Sequence, residues 1–367
     1  MGTVVNASGY NQNRGDLMPF FLDNTFIDDL LYEFNFDKME CFSIIKKLDG
    51  KSKFRYVIKV NTINGELLVI RINQDKIITK ESLDYYVRVS NCYNSFGINV
   101  PVRYSAKDGK FFVVKSILEK EVLMTIENYI NGKAIENFNL LTFSELGSYL
   151  GKMHLASEIK KLKYGFDSTS GLFLKNDLQL EFMLGKEDNN HYNACYLVEI
   201  MRNYPINQCL LDNIWNQYIK IRKNLKRILP LLPKWASQAD YITNNILFEW
   251  DGHISGVIDF HMAGDMVLAN DLANSLIYFG YEIEKTNLID TIFQISCMKE
   301  FIKHYELFRP LCCLEKVAIT DILKIGVPFL RMRIDKIVNM VKAGDYQDVN
   351  KHLEYILVNL QNEDSII

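Results

Sequence analysis

Short runs of β-branched and aromatic residues dominate the chain from about residue 41 to residue 130, and this pattern predicts β-strands. Two of these runs, Phe54–Asn61 and Glu66–Ile72, flank Asn64-Gly65. That dipeptide is typical of a two-residue hairpin turn, because both of its residues tolerate a positive φ. The sequence therefore predicts a first β-hairpin here.

A second pair of runs, Val100–Ser105 and Lys110–Leu118, flanks Asp108-Gly109, which is another hairpin signal. Between the two predicted hairpins, Thr79–Phe96 has a helical pattern that stops at Gly97. We therefore expect a small sheet with one helix in this part of the chain.

After Gly132 the pattern becomes mostly helical. The segment Phe143–Ala156, for example, carries Leu146, Leu150 and Met153 at helical spacing. A small sheet followed by a larger helical region predicts an α+β fold with two lobes.

One β-element interrupts the helical region. Ile246–Trp250 and His253–Ile258 are apolar runs joined by Asp251-Gly252, which predicts a third hairpin. A hairpin returns the chain on itself, so residues just before and just after it are brought side by side.

Three polar residues flank this hairpin: Asp240 and Asn245 precede it, and Asp259 follows it. Phosphoryl transfer needs a group that orients the attacking hydroxyl and accepts its proton, and it needs oxygen ligands for Mg²⁺. Asp240 suits the first role, and Asn245 with Asp259 suits the second. Taken singly, each residue is also typical of ordinary turns; the set together favours the catalytic interpretation.

Composition excludes several other classes. The chain has 367 residues and a net charge of −3, whereas a general nucleic-acid binder usually has a basic footprint. No apolar run is long enough for a membrane span, and the N-terminus lacks a signal-peptide pattern. The seven cysteines show no C-x-x-C spacing, which predicts buried, reduced thiols in a cytoplasmic protein.

The segment SQADYITNNILFEWDGHISGVIDFHMAGDMVLANDLANSL resembles the catalytic core of the aminoglycoside phosphotransferase and choline kinase superfamily. That superfamily also includes homoserine kinase type II, methylthioribose kinase and spore-coat relatives. Three further phrases resemble it: GINVPV at 97–102, LGSYLGKMH at 146–154 and HYELFRPLCCLEK at 304–316. The resemblance covers roughly residues 41–340.

The resemblance implies a protein-kinase-like fold with a small antiparallel-sheet lobe and a larger helical lobe. Residues 1–19 would be a polar, flexible N-terminus, 20–123 the nucleotide-binding lobe and 124–131 a hinge. Residues 132–367 would form the helical lobe with the catalytic loop, metal site and acceptor pocket. The implied reaction uses ATP or GTP with Mg²⁺ and a small-molecule alcohol, in a monomer or homodimer that binds neither nucleic acid nor membrane.

By resemblance, Asp240 is the catalytic base, Asn245 and Asp259 are metal ligands, and Asp271 anchors the loop. Gln238 stands where the family usually has His. A Gln amide can replace that His, because it both donates and accepts hydrogen bonds. The neighbouring Ala239 replaces Gly and fits unless the loop needs a positive φ.

Arg71 is the best match to the family's phosphate-anchoring cation, although a solvated strand residue is the equal alternative. Its acidic partner on the following helix is either Glu81 or Asp84. The remaining nucleotide-binding candidates lie in a turn and in the hinge: Ser52, Thr125, Glu127 and Asn128.

Glu282 and Glu284 follow the N-D-L-A helix, where the family builds its acceptor pocket, and they either bind a cationic acceptor or are merely exposed. An amino-alcohol such as homoserine or choline, a sugar and an aminoglycoside all remain open. The rival hypothesis is a catalytically inactive, spore-coat-like member with a structural or binding role, which Gln238 and the missing glycine-rich loop keep open.

Three basic features are expected to be structural. His154 lies on an apolar helix, which is typical of a hydrogen-bonded core histidine, and His261 is expected to be a loop residue. The run KIRKNLKR at 220–227 is expected to be the solvated face of a helix rather than an RNA-binding patch, because Ile221 and Leu225 keep helical spacing.

Overall fold

The computed structural model describes residues 22–49, 54–74, 80–117, 120–135, 138–168, 188–285 and 291–362. Contacts within the chain divide it into two units: Met1–Gln74 with Ser105–Ile126, and Asp75–Tyr104 with Glu127–Ile367. Residues 80–104 thus group with the second unit. The lobe and hinge boundaries at 20–123, 124–131 and 132–367 stay predictions, and the 1–19 segment lies outside the described residues.

The first unit is built on a five-stranded sheet with the strand order β1-β2-β3-β5-β4. Its elements are α1 (Asn24–Glu33), β1 (Met39–Asp49), β2 (Phe54–Thr62), β3 (Leu67–Asn73), β4 (Val113–Ile117) and β5 (Lys120–Asn128). The pairs β1–β2, β2–β3 and β4–β5 are antiparallel. Sequence analysis did not predict α1, whose first turn is capped by the Asp23 side chain.

The first predicted hairpin is confirmed. Strands β2 and β3 pair from Arg55 opposite Asn73 to Asn61 opposite Leu67. In the turn between them, Gly65 has a φ of 82° and donates its N–H to the carbonyl of Thr62. Glycine is favoured there because it has no Cβ to clash at positive φ.

The second predicted hairpin has its turn and its second strand but lacks its first strand. The turn at Asp108-Gly109 and strand β4 are present, but 100–105 is not a strand and makes only an isolated bridge at Arg103. Pro101 lacks an N–H, and side chains from α2 (Lys80–Ser95) use the carbonyls of this segment. Tyr86 donates to the Pro101 carbonyl and Asn94 to the Val100 carbonyl.

The second unit is mostly helical. Its helices after α2 are α3 (Leu140–Ile159), α4 (Asn189–Met201), α5 (Gln208–Ile228), α6 (Leu268–Lys285), α7 (Thr291–Glu306), α8 (Cys313–Gly326), α9 (Arg331–Lys342) and α10 (Tyr346–Gln361). Its strands form two small sheets from β6 (Lys133–Ala134), β7 (Lys234–Ser237), β8 (Ile246–Phe248), β9 (Ile254–Val257) and β10 (Gly264–Val267).

Helices α3 and α7 pack with their backbones unusually close. A Cβ on Gly147 would lie 2.1 Å from the Phe301 carbonyl oxygen, and one on Gly151 would lie 2.7 Å from that of Tyr305. The i, i+4 spacing puts both glycines on one face of α3. This close approach brings His154, one turn further along α3, against α7.

The third predicted hairpin is confirmed by β8 and β9. Ile246 lies opposite Val257, and the chain turns at Asp251-Gly252, where Gly252 has a φ of 88°. The pairing places the residues before β8 beside those after β9: the N–H of Ile258 donates to the carbonyl of Asn245 at 2.8 Å.

The KIRKNLKR run lies in α5, as its spacing predicted, but it is not solvated throughout. Ile221 and Leu225 are buried, and so is Arg222, whose guanidinium donates to both carboxylate oxygens of Asp188 at 3.2 and 2.9 Å. A buried arginine is normally paired in this way. The prediction that the cysteine thiols are buried is wrong. Of the seven free cysteines only Cys297 is buried.

Candidate active site

Asp240 lies in the loop between β7 and a single 3₁₀ turn, Thr243–Asn245. The Asn245 side chain closes this loop: its Nδ2 donates to the Asp240 carboxylate at 2.7 Å and to the Asp240 carbonyl at 2.9 Å. Because both bonds use the amide nitrogen, the amide oxygen of Asn245 is the group suited to hold a cation.

Gln238 is buried and connects the Asp240 loop to the Asp259 loop. Its Oε1 accepts the N–H of Asp240 at 2.8 Å, and its Nε2 donates to the carbonyls of Ile258 at 3.2 Å and Asp259 at 3.0 Å. The amide uses its donor and acceptor sides at once, which is the property that sequence analysis expected of a histidine replacement.

Ala239 has a φ of 60°, so the loop does need a left-handed residue at the position where the resembling family has glycine. A non-glycine residue in this region costs about 1–2 kcal/mol. The Ala239 N–H is held by the Ser237 hydroxyl at 3.1 Å. Alanine was expected to fit here unless the loop needed a positive φ. The loop does need one, so Ala239 carries local backbone strain.

Asp259 follows β9 in a left-handed conformation with a φ of 62° and a ψ of 72°. Its carboxylate oxygen Oδ1 lies 2.7 Å from Nδ1 of His261. His261 is thus a loop residue, as expected, but one that orients the Asp259 carboxylate.

The pKa of Asp240 is raised above its ordinary value, chiefly because burial disfavours the charged carboxylate. The hydrogen bond from Asn245 and the nearby His261 oppose this shift, while the charges of Asp259 and Asp271 add to it. Two further carboxylates thus act on Asp240, and this concentration of negative charge favours a cation.

Asp271 in α6 holds the Asp240 loop through hydrogen bonds. Its carboxylate accepts a hydrogen bond from the Ser237 hydroxyl and lies 3.0 Å from Nε2 of His154. The other ring nitrogen of His154 lies 2.8 Å from the Tyr305 hydroxyl, which accepts from Arg309. His154 is a buried, hydrogen-bonded histidine.

Ser237 was missed by sequence analysis, since a serine in S-Q-A-D carries no signal for a partner 34 residues away. Thr243 was missed as well: its hydroxyl lies 3.0 Å from that of Tyr278 in α6. Both contacts fasten the loop to α6.

The acceptor candidates also lie on α6. Glu284 forms an ion pair with Arg333 of α9, and Glu282 is half-buried. The described residues 22–362, with their gaps, contain no helix long and apolar enough to cross a membrane.

The nucleotide-binding candidates are spread over both units. Arg71 in β3 and Thr125 in β5 belong to the first unit and are buried. In the second unit the side chains of two hinge candidates hold the neighbouring segment: Glu127 lies 3.8 Å from Arg103, and Asn128 accepts the N–H of Val102. Glu81 and Asp84 are exposed on α2, and Ser52 lies outside the described residues.

A model of the phosphotransferase enzyme family matches residues 45–311. The homoserine kinase of Gluconobacter oxydans is 22% identical over 281 residues, which are 75% of this chain and 77% of that enzyme. These comparisons confirm the superfamily that the motifs indicated.

Two solved kinases have a similar fold. A microcompartment-associated aminopropanol kinase superimposes with a TM-score of 0.60 at 13% identity, over 92% of this chain and all of that one. An amicoumacin kinase in complex with AMP-PNP, Ca²⁺ and Ami superimposes with a TM-score of 0.53 at 15% identity, over 94% of this chain and 95% of that one. The predicted kinase-like α+β fold is thereby confirmed.

Proposed function

Because the chain belongs to the phosphotransferase enzyme family, a family of small-molecule kinases, we propose that it transfers the γ-phosphoryl of ATP or GTP to the hydroxyl of a small alcohol. The observation that carries the proposal is the arrangement around Asp240. Its carboxylate is fixed by Asn245, and Gln238 ties its backbone to that of Asp259. A base and two oxygen ligands are thus held on two joined loops.

In this reaction Asp240 orients the acceptor hydroxyl and takes its proton. The hydroxyl oxygen forms a bond to the γ-phosphorus, the bond from that phosphorus to the β–γ bridging oxygen breaks, and the nucleoside diphosphate leaves. The raised pKa of Asp240 makes its carboxylate a better proton acceptor than that of an ordinary aspartate.

The donor set fits Mg²⁺. Asn245 offers an amide oxygen and Asp259 a carboxylate, and Mg²⁺ prefers oxygen ligands, commonly one or two from the protein with the rest from phosphates and water. The bound ion would neutralise charge on the phosphates.

For the nucleotide we propose phosphate contacts from Arg71 and Ser52, with Glu81 or Asp84 as the acidic partner of Arg71. The base would pair with hinge backbone at 125–128. The side chains of Glu127 and Asn128 bind residues 102–103, and the Asn128 N–H donates to the Val102 carbonyl at 3.2 Å.

For the acceptor we favour an amino-alcohol over a sugar or an aminoglycoside. The homoserine kinase and the aminopropanol kinase described above are named for amino-alcohols, and the carboxylates around Asp240 favour a cation. Glu282 and Glu284 are the acidic candidates for binding the cationic group of the acceptor, and Glu284 also forms an ion pair with Arg333. A cytoplasmic location and a monomeric or homodimeric state stay predictions.

The test is phosphate transfer by the purified chain with Mg·ATP or Mg·GTP and a panel of alcohols, chosen by thermal shift because a bound ligand raises the melting temperature. Transfer to at least one alcohol supports the kinase. Nucleotide binding without transfer to any alcohol supports the inactive, spore-coat-like alternative.

A further inference from the structure

Helix α6 is fastened to the Asp240 loop at two points. Asp271 accepts from Ser237, three residues before Asp240, and Tyr278 meets Thr243, three residues after it. Residues 271 and 278 are about two helical turns apart on one face of α6. That face therefore lies along the loop that carries the proposed base.

Asn274 lies on the same face, between the two attachment points, at the i+3 position from Asp271. It is only 8% exposed, and among the described residues its side-chain oxygen Oδ1 has no hydrogen-bond partner. Buried polar atoms are normally paired, since leaving one unpaired costs free energy. An unpaired amide oxygen beside the catalytic loop marks a position that a ligand can complete.

The chemistry of that ligand follows from the atom. An amide oxygen accepts hydrogen bonds and donates none, so its partner must be a donor. Asp271 lies on the same face of α6, and its charge and that of Asp259 act on Asp240 in the loop along that face. Such an environment disfavours a carboxylate and favours an ammonium or a hydroxyl.

We propose that Asn274 is an acceptor-binding residue, whose Oδ1 accepts a hydrogen bond from a second polar group, an ammonium or a hydroxyl, carried close to the hydroxyl that is phosphorylated. This inference rests on the proposed function, because Asp240 defines where the reacting hydroxyl lies. The hydrogen bond to Asn274 Oδ1 selects amino-alcohols and polyols and discriminates against simple alcohols. The site rejects an alcohol without that donor because Oδ1 is then left unpaired.

The test uses matched pairs of alcohols: 1-amino-2-propanol against 2-butanol, and L-homoserine against 4-hydroxybutyrate, with D-ribose and kanamycin as further donor-bearing probes. Dissociation constants are measured by calorimetry with Mg·AMP-PNP present, and kcat and KM by phosphate transfer. The variants are Asn274→Leu and Asn274→Asp. Ser275→Ala is the control, because within the described part of the chain its hydroxyl donates to the Asp271 carbonyl of its own helix and to no other group.

We expect Asn274→Leu to weaken binding of donor-bearing alcohols about 5- to 100-fold, the usual effect of losing one buried hydrogen bond, with nucleotide affinity unchanged. Asn274→Asp keeps an acceptor oxygen and should retain binding of the ammonium-bearing alcohols. A purely structural asparagine would instead lower the melting temperature without a selective change in Kd or KM.

The outcomes separate this inference from the proposed function. Unchanged alcohol affinity in Asn274→Leu, with transfer intact, overturns the role of Asn274 and leaves the kinase standing. Alcohol binding that depends on Asn274, without any transfer, supports the binding site and overturns the kinase. A parent that binds no donor-bearing probe, or binds both members of each pair equally, overturns the inference.

Discussion

The side chain of Gln238 holds the backbone of Asp259, donating to its carbonyl at 3.0 Å while accepting the N–H of Asp240 at 2.8 Å. One buried amide thus sets the distance between the proposed base and a proposed metal ligand. Asp240 and Asp259 are 19 residues apart in the chain, yet the hairpin β8–β9 and this amide make them neighbours.

Gln238→Leu should therefore impair catalysis more than folding. The change leaves one N–H and two carbonyls without their partner, which costs about 1–3 kcal/mol of unfolding free energy, and it loosens the two loops. Misplacement of reacting groups by about 1 Å can cost about 10²-fold in rate. We expect kcat to fall by about 10- to 100-fold.

Gln238→His is the matched control, because an imidazole restores a donor and an acceptor, and its kcat should stay near that of the parent. Both kcat and denaturant unfolding are measured. A Leu variant as active as the His variant would show that the amide bridge does not position the loops.

Ala239→Gly should stabilise the protein. The φ of 60° costs alanine about 1–2 kcal/mol, and the greater chain entropy of glycine in the unfolded state offsets about 0.5–1 kcal/mol of the gain. The net rise in unfolding free energy should be about 0.5–1 kcal/mol by urea denaturation.

Ala263→Gly provides the opposite control, because Ala263 is also buried near the site but has a φ of −58°. That variant should lose about 0.5–1 kcal/mol. If both glycine variants lose stability equally, the positive φ at Ala239 carries no strain.

The hairpin and the flanking Asp240, Asn245 and Asp259 could be predicted from the sequence because turn chemistry is local. The Asp251-Gly252 dipeptide between two apolar runs is a local hairpin signal, and here it is followed by paired strands. Arrangements that depend on distant partners were not predictable. Ser237 meets Asp271 across 34 residues, and His154 meets it across 117.

Side-chain hydrogen bonds also explain the two errors in the predicted local structure. The segment at 100–105 has strand-forming residues, but Tyr86 and Asn94 of α2 take its carbonyls. The spacing in the sequence places Arg222 on a solvated helical face, but its side chain is buried because it donates a hydrogen bond to the carboxylate of Asp188. In both cases tertiary hydrogen bonding overrides the local pattern.

Asp259→Asn should lower affinity for Mg²⁺ without disturbing the fold. Asparagine tolerates the left-handed φ of 62° and keeps the size and one side-chain oxygen, but it removes the charge. Nucleotide binding that depends on Mg²⁺ should weaken strongly, whereas the melting temperature without metal should stay close to that of the parent.

The affinity for ATP is measured by calorimetric titration of the protein, once with Mg²⁺ present and once with EDTA. His261→Ala is a useful companion, because it removes the group that orients the Asp259 carboxylate and should weaken metal-dependent binding less. Equal Mg·ATP affinity in Asp259→Asn and the parent would remove Asp259 from the metal site.

Asp240→Asn tests the base itself. Asparagine keeps the size of the side chain and its capacity for hydrogen bonding, but it cannot take the proton of the acceptor hydroxyl. General-base catalysis contributes about 10²–10⁴-fold, so single-turnover phosphate transfer should slow by at least that order. Nucleotide affinity should change little, since Asn245 and Asp259 still offer their oxygens.

The contrast with Asp259→Asn makes the assignment specific. If Asp240 serves the hydroxyl and Asp259 the metal, the first variant loses transfer and keeps Mg·ATP binding, while the second loses both. Near-parental transfer by Asp240→Asn would refute its role as the base. Weakened Mg·ATP binding in that variant would instead indicate that the Asp240 carboxylate, which accepts from Asn245 at 2.7 Å, serves the metal.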